Sequence, residues 1–481
     1  MPDFNFPHVI PSLREWRGGQ GVFNLTAAAR IVIGDEALVE VAEGFQQDLA
    51  SVWGHNLKLA SGKPNAGDVF LTLAAPATRV QLGEQGYQLE ITDWVTVSAG
   101  TTTGVFYGTQ TLLQMLRQTA WPCGVARDYP AYPERGVMLD TGRRYWQMDY
   151  LEQTLRRMAR LKLNILHLHL SDWNGFRMVS DTYPGLASKE AYTKADLRRL
   201  QDLARRYHVT LVPEIDMPGH SKAITDYAPH LRFKCPSMDR GRWAGGEQGG
   251  WMLDITRAEV RQWINGLLNE FVPLFDGPYF HLGGDEYEMD PHKWDCPELV
   301  DAMRAGGYSE PGDVFIEWIN ETNALVKSHG KQLQIWNWWE HGDQKSSIAP
   351  EKDIIINAWV GDAKWFLERG YTVIASPEKH FYITPGLTNI SEDMKDYGVM
   401  DPEWLYHHWT PEVHPNLLGY KICVWADRVE SWPEADFEAL LEKPRAILAE
   451  RLWGGSRVGK LEDFYARWGE VAERNGRTAS P

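Results

Sequence analysis

From residue 136 onward the chain repeats one pattern eight times: a short apolar run ending in a polar or aromatic residue, then a helical or looped segment. The runs are GVMLD (136–140), NILHLHLSD (164–172), TLVPEID (210–216), YFHLGGDE (279–286), QLQIWNW (332–338), DIIINAWV (353–360), TVIASP (372–377) and GYKICVWAD (419–427). Runs this short and apolar read as buried strands. Between the first two, Leu151, Leu155 and Met158 share one helical face, and KADLRRLQDLARRYH opens at Thr193, a suitable N-cap. Eight strand–helix units over ~300 residues predict an α/β fold, a (β/α)8 TIM barrel. A doubly wound sheet competes, but it would not need eight units, and no glycine-rich phosphate loop follows the first strand.

The chain has 481 residues, too many for one small core. Residues 1–128 read as a small α+β domain and 129–481 as the barrel, with the Pro-rich DYPAYPERG marking the boundary. GYQLEI and WVTVSA are alternating strands turning at Thr92 and Asp93. The helix after them shows Val105, Thr109, Leu112, Leu113 and Leu116 at helical spacing.

A net charge of −16 disfavours nucleic acid and anionic membranes as partners and suits a neutral carbohydrate. No apolar run approaches the ~20 residues that span a bilayer. MPDFNFPHVIPSLREW lacks the basic-then-apolar order of a signal peptide, so a cytoplasmic location is expected, although a secreted form trimmed of its signal reads the same. Cys123, Cys235, Cys296 and Cys423 are scattered and read as free thiols. No metal or other cofactor is expected, and the sequence does not fix an oligomeric state.

In a TIM barrel the C-terminal strand ends converge on one mouth. Here they carry Asp140, Asp172, Asp216, Asp285, Glu286, Trp338, Trp359 and Asp427. Of 22 tryptophans, Trp336, Trp338, Trp339, Trp359 and Trp425 fall late in strands, where broad aromatic faces suit the C–H faces of a sugar. Asp285 and Glu286 are adjacent, so they cannot straddle a ring as two hydrolytic carboxylates usually do. Past the strand end both can turn into the mouth and serve neighbouring atoms of one substrate, with Gly283 and Gly284 allowing close approach. His167 and His169 alternate with leucines and point to one side of their strand. HxH could ligate a metal, as in an amidohydrolase, with His220, His281 and Asp427 as further ligands. The simpler reading buries both imidazoles in hydrogen bonds near the acids. Arg135 precedes the first strand and could clamp two vicinal hydroxyls.

In order, RGVMLD, LHLHLSD, PEIDMPGH and HLGGDE resemble the motifs of glycoside hydrolase family 20, the β-N-acetylhexosaminidases. The first ~128 residues resemble that family's non-catalytic domain, most clearly in GYQLEI…VSAGTTTGVFYGTQTLLQML. The resemblance implies substrate-assisted, retaining hydrolysis of terminal non-reducing β-linked GlcNAc or GalNAc from an oligosaccharide or glycoconjugate. The substrate's 2-acetamido oxygen is then the nucleophile, Glu286 the general acid and base, and Asp285 the partner of the acetamido N–H. An ionised Asp285 is expected to raise the pKa of Glu286. By the same resemblance Arg135 binds the O3 and O4 hydroxyls, and Asp172 and His220 back the acids. Trp336, Trp359 and Trp425 wall the site, Trp404 floors it, and Tyr382 bonds the acetamido oxygen. Three positions depart from the family pattern: Thr384 replaces an aspartate, Asp427 a glutamate, and Asn174 a glutamine. They bear on specificity, leaving galacto or gluco preference open, as well as release of one sugar or of a disaccharide as in lacto-N-biosidases.

Overall fold

A computed structural model describes residues 6–75, 80–234, 251–287, 294, 296–340, 346–388, 398–454 and 459–472. Two sheets divide the chain. The first contains β1 (Glu15–Phe23), β2 (Arg30–Ile33), β3 (Lys58–Ser61), β4 (Val69–Leu73), β5 (Tyr87–Ile91), β6 (Val95–Ala99) and β7 (Trp121–Asp128). Their order is β1-β7-β5-β6-β4-β2-β3. β5 and β6 form the expected antiparallel hairpin, with Tyr87 opposite Ala99 and Ile91 opposite Val95. Alternation sets its faces: Tyr87, Leu89, Ile91, Val95, Val97 and Ala99 are buried, and the residues between them are not.

The helix Thr102–Met115 starts at Thr101, whose hydroxyl accepts from Gly104 N at 3.0 Å. Its sequence shows one apolar stripe, yet every residue from Gly104 to Met115 is buried. One face lies on β6, so closely that a Cβ at Gly108 would meet Val97 Cγ1 at 2.3 Å. The other face lies against the barrel, where Gln114 Nε2 donates to Arg160 O at 2.7 Å. Packing on both sides buries polar residues that an amphipathic pattern would leave in water.

The second sheet holds β8 (Glu134–Asp140), β9 (Ile165–His169), β10 (Thr210–Glu214), β11 (Tyr279–His281), β12 (Gln332–Trp336), β13 (Ile355–Ala358), β14 (Thr372–Ala375), β15 (Tyr382–Ile383) and β16 (Leu417–Val424). β8 to β14 pair in sequence, all parallel, and β16 joins β14 to β8. The ring is therefore the (β/α)8 TIM barrel, with β15 a two-residue addition beside Cys423 and Val424. As predicted, Thr193 caps its helix, its hydroxyl accepting from Asp196 N at 3.1 Å. No described helix is long and apolar enough to cross a membrane. Cys123 and Cys423 are free thiols, Cys296 Sγ donates to Glu298 Oε2 at 3.6 Å, and Cys235 lies outside the described residues.

Arg135 is a correction to the sequence reading. It opens β8, at the end of the barrel opposite the mouth, and is fully buried. Its guanidinium donates to the carbonyls of Lys162 and Tyr132 and to Gln85 Oε1 of the first domain, and lies 5.1 Å from the Trp453 ring. Beside it Lys162 Nζ donates to Asp128 Oδ2 at 2.8 Å and to Tyr87 OH at 2.9 Å. Trp453 Nε1 donates to Asp128 Oδ1 at 2.9 Å. A side chain five residues of extended strand below the rim cannot reach substrate there; Arg135 fastens the two domains together.

Candidate active site

β11 is only three residues long because the chain turns sharply after it. Gly283 and Gly284 have φ of +79° and +90°, which suits glycine and carries the next two side chains off the strand. Glu286 itself has φ +46° and His220 has φ +48°, both unusual for residues with a Cβ. Positions of that kind cluster at functional sites.

At the mouth, Asp172, His220, Asp285, Glu286, Trp359, Tyr382, Trp425 and Asp427 line one cavity of about 460 Å³. Arg143, Asp216, Asn174, Thr384, Arg428 and Glu430 also line it. Trp359 and Tyr382 form parallel faces 6.1 Å apart at 4°, and Trp425 leans on Tyr382 at 5.7 Å and 56°. Two of the expected tryptophans are elsewhere. Trp336 lies beneath the cavity, its indole N–H donating to Glu214 Oε1 at 2.7 Å, because it still belongs to β12 and points into the barrel. Trp404 opens a short helical turn and stacks on His380 at 3.7 Å, away from the cavity lining.

Arg143 occupies the place expected of Arg135. Its Nη1 donates to Asp140 Oδ2 at 3.1 Å and contacts Asp172 Oδ2 at 2.9 Å, while Nε meets Asp427 Oδ1 at 3.1 Å. Burial works against its charge, but Asp172, Asp427 and Asp140 outweigh it and keep the guanidinium firmly protonated. The motif RGVMLDTGRR contained the signal: Arg143 follows the strand end by three residues, whereas Arg135 opens the strand.

The paired acids differ in their surroundings. Asp285 is 8 % exposed, whereas the Glu286 side chain is 39 % exposed and faces the cavity. Burial, reinforced by the negative charges of Glu286 and Glu214, pushes the Asp285 carboxyl up to about 6. For Glu286 burial also favours the neutral form, but the hydrogen bond and charge of His220 and the charge of Arg143 bring it below its ordinary value. This reverses the sequence expectation. The mutual repulsion falls on Asp285, because a cation stands beside Glu286.

That cation is His220, with Nε2 3.1 Å from Glu286 Oε2 and 3.6 Å from Asp285 Oδ2, and Nδ1 3.2 Å from Asp172 Oδ1. Beneath Asp285, Asp216 accepts from Gly284 N at 3.2 Å, and burial with the charge of Asp285 favours its neutral form.

His167 and His169 are fully buried in the barrel interior. Lys421 Nζ lies 2.7 Å from His167 Nδ1, and His169 sits between Glu214 Oε2 and Asp172 Oδ2, at 2.7 Å from each. His167, Glu214 and His281 bring ligand atoms within 4.8 Å of one another. A metal there would share His167 with an ammonium group, and it would lie below the cavity where substrate cannot reach. The donor set does not fit an amidohydrolase centre.

A parallel barrel whose mouth joins carboxylates, an arginine fork and aromatic walls is the architecture of a carbohydrate-active enzyme. The family model "Glycosyl hydrolase family 20, catalytic domain" matches residues 132–456, and "Glycosyl hydrolase family 20, domain 2" matches residues 6–129. The chain belongs to glycoside hydrolase family 20. It is 26% identical to a lacto-N-biosidase of Bifidobacterium bifidum, over 97% of this chain and 41% of that protein. It is 25% identical to a β-hexosaminidase of Porphyromonas gingivalis, over 96% of this chain and 62% of that one. The chain thus spans less than two thirds of either relative. Among solved structures, the exo-β-N-acetylglucosaminidase of Vibrio harveyi in complex with N-acetylglucosamine superposes with a TM-score of 0.81 at 19% identity, covering 96% of this chain and 76% of that one. At that identity the likeness speaks for the fold.

Proposed function

We propose that the chain is an exo-acting β-N-acetylhexosaminidase, hydrolysing terminal β-linked GlcNAc or GalNAc with retention and with the substrate's acetamide as nucleophile. One observation carries this reading. Asp285 and Glu286 approach the cavity together; of the other carboxylates lining it, Asp172 and Asp427 are tied to Arg143, Asp216 accepts from Gly284 N, and Glu430 accepts from Asn174 Nδ2 and Arg428 N. A retaining enzyme with its own nucleophile needs a free carboxylate ~5–5.5 Å across the bond from the acid. Here the substrate's acetamido oxygen takes the place of that nucleophile.

In the first step the acetamido oxygen forms a bond to the anomeric carbon as the glycosidic C–O bond breaks, and Glu286 gives its proton to the leaving oxygen. Asp285 accepts the acetamido N–H and faces the positive charge that spreads over the ring. In the second step the Glu286 carboxylate takes a proton from water, whose oxygen displaces the acetamide at the same carbon. Arg143 and Asp427 would hold ring hydroxyls, Trp359 and Trp425 the ring faces, and Tyr382 the acetamido oxygen.

Turnover of a panel of aryl glycosides tests this. GlcNAc and GalNAc derivatives should be cleaved and the plain glucoside left intact, since glucose has no acetamide; equal cleavage of the glucoside defeats the mechanism. A second reading, disaccharide release, is favoured by the lacto-N-biosidase relative aligned over 97% of the chain and by the short Thr384 and Asp427 side chains on the cavity wall. An aryl lacto-N-bioside cleaved faster than aryl GlcNAc decides for it.

A further inference from the structure

Five side chains continue inward from Glu286 as an alternating row of acid and imidazole. Glu286 Oε2 meets His220 Nε2 at 3.1 Å, His220 Nδ1 meets Asp172 Oδ1 at 3.2 Å, Asp172 Oδ2 meets His169 Nε2 at 2.7 Å, and His169 Nδ1 meets Glu214 Oε2 at 2.7 Å. We propose that Glu214, buried in the barrel interior, is a positioning residue for the general acid, acting through His169 and Asp172 to decide whether the catalytic proton sits on Glu286 or on His220. The proposal rests on the assignment of Glu286 as general acid.

Both ring nitrogens of His169 face carboxylates. A neutral imidazole has a single N–H, so one of those contacts would set a nitrogen lone pair against an oxygen lone pair. With Asp172 and Glu214 both ionised, this geometry requires His169 to carry two protons, and Glu214 supplies the second anion that keeps it so. Burial opposes this charge, but Glu214 and Asp172 hold the His169 pKa well above its ordinary value. Glu214 is itself committed to this ionised state. The Trp336 indole donates to its Oε1, and His167 Nε2 lies 2.9 Å from its Oε2. His281 Nδ1 lies 3.2 Å from its Oε1, with burial holding that imidazole down at about 4, and Lys421 is a further cation nearby.

The His220–Glu286 contact holds one proton. On nitrogen it makes an imidazolium and a carboxylate; on oxygen, a neutral imidazole and the carboxylic acid that catalysis needs. Asp172 decides between the two, because an uncompensated carboxylate at His220 Nδ1 favours the imidazolium. Asp172 still keeps His220 cationic, but Arg143, 2.9 Å from Asp172, and the doubly protonated His169 weaken its pull from the other side and so ease transfer of the proton to Glu286. The remaining titratable groups are Asp285 beside His220, and Asp140 and the neutral-leaning Asp216, each grouped with His169 within 4.8 Å. Without Glu214, His169 loses its second proton, Asp172 pulls harder on His220, and Glu286 becomes harder to protonate.

The test is Glu214→Gln, with kcat/KM followed against pH for two aryl N-acetyl-β-glucosaminides. The phenyl glycoside needs a proton on its leaving oxygen, and the 2,4-dinitrophenyl glycoside does not. Near neutral pH the variant should lose about 100-fold on the phenyl substrate and less than about threefold on the dinitrophenyl one. Its basic limb on the phenyl substrate should move toward acid by about one pH unit. Equal losses on both substrates, or an unmoved limb, would reduce Glu214 to a packing role and overturn the proposal. The wild-type enzyme offers a second readout should the variant not fold. In ¹⁵N NMR both nitrogens of His169 should show imidazolium shifts at neutral pH, and a neutral His169 overturns the proposal. If the wild type cleaves neither glycoside, the proposed activity fails, and the NMR measurement still reports on the row.

Discussion

At the level of single residues, the site divides its work by giving similar groups unlike neighbours. Asp285 is ionised only above about pH 6, so kcat/KM should fall as pH drops through that value and the acetamide loses its anionic partner. Asp285→Asn should abolish that acid limb along with most of the activity; a limb that persists in the variant belongs to another group. Arg143 holds three aspartates with a planar fork, and lysine cannot reproduce that geometry. Arg143→Lys should lower kcat/KM by about 10- to 100-fold, read from progress curves at low substrate. The sequence made the two acids, His220 and Tyr382 legible because adjacent motifs announce them. It misled at Arg135 and Trp336, where a few residues along a strand separate the rim from the floor. Composition and motif order do not contain that difference; strand register does.

Among the elements, β11 shows how far local chemistry constrains the site. A Cβ on Gly283 would lie 1.8 Å from Asp216 Oδ1 at a φ of +79°. Gly283→Ala should cost about 1–3 kcal/mol from the backbone conformation alone, measured as a lowered denaturant midpoint, and should displace Asp216 from beneath Asp285. Gly284 has a similar φ of +90°, but a Cβ there would meet Phe315 Cζ at 3.6 Å, an ordinary van der Waals contact, so alanine should be the milder change. The eight barrel strands were legible because each is short, apolar and set off by turn residues. The helix Thr102–Met115 was legible as a helix but not as one buried all round. Which surfaces cover its second face depends on the barrel, far along the chain.

Across the whole molecule, the two domains meet at a buried ion pair. Lys162→Met would leave Asp128 without its ammonium partner and should cost about 3–5 kcal/mol. Because Tyr87, Arg135 and Trp453 share that seam, urea unfolding followed by far-UV and tryptophan signals should show the loss in one common transition. Two separate transitions, with only one of them shifted, would show that the seam does not couple the domains.

The seam lies at the opposite end of the barrel from the catalytic mouth. Lesions in it would therefore lower the amount of enzyme that accumulates while the surviving molecules keep ordinary turnover and substrate preference. Selection can act on the two ends almost independently. The loops bearing Asn174, Arg428 and Glu430 are free to drift in sequence so long as Arg135, Lys162 and Asp128 stay in place.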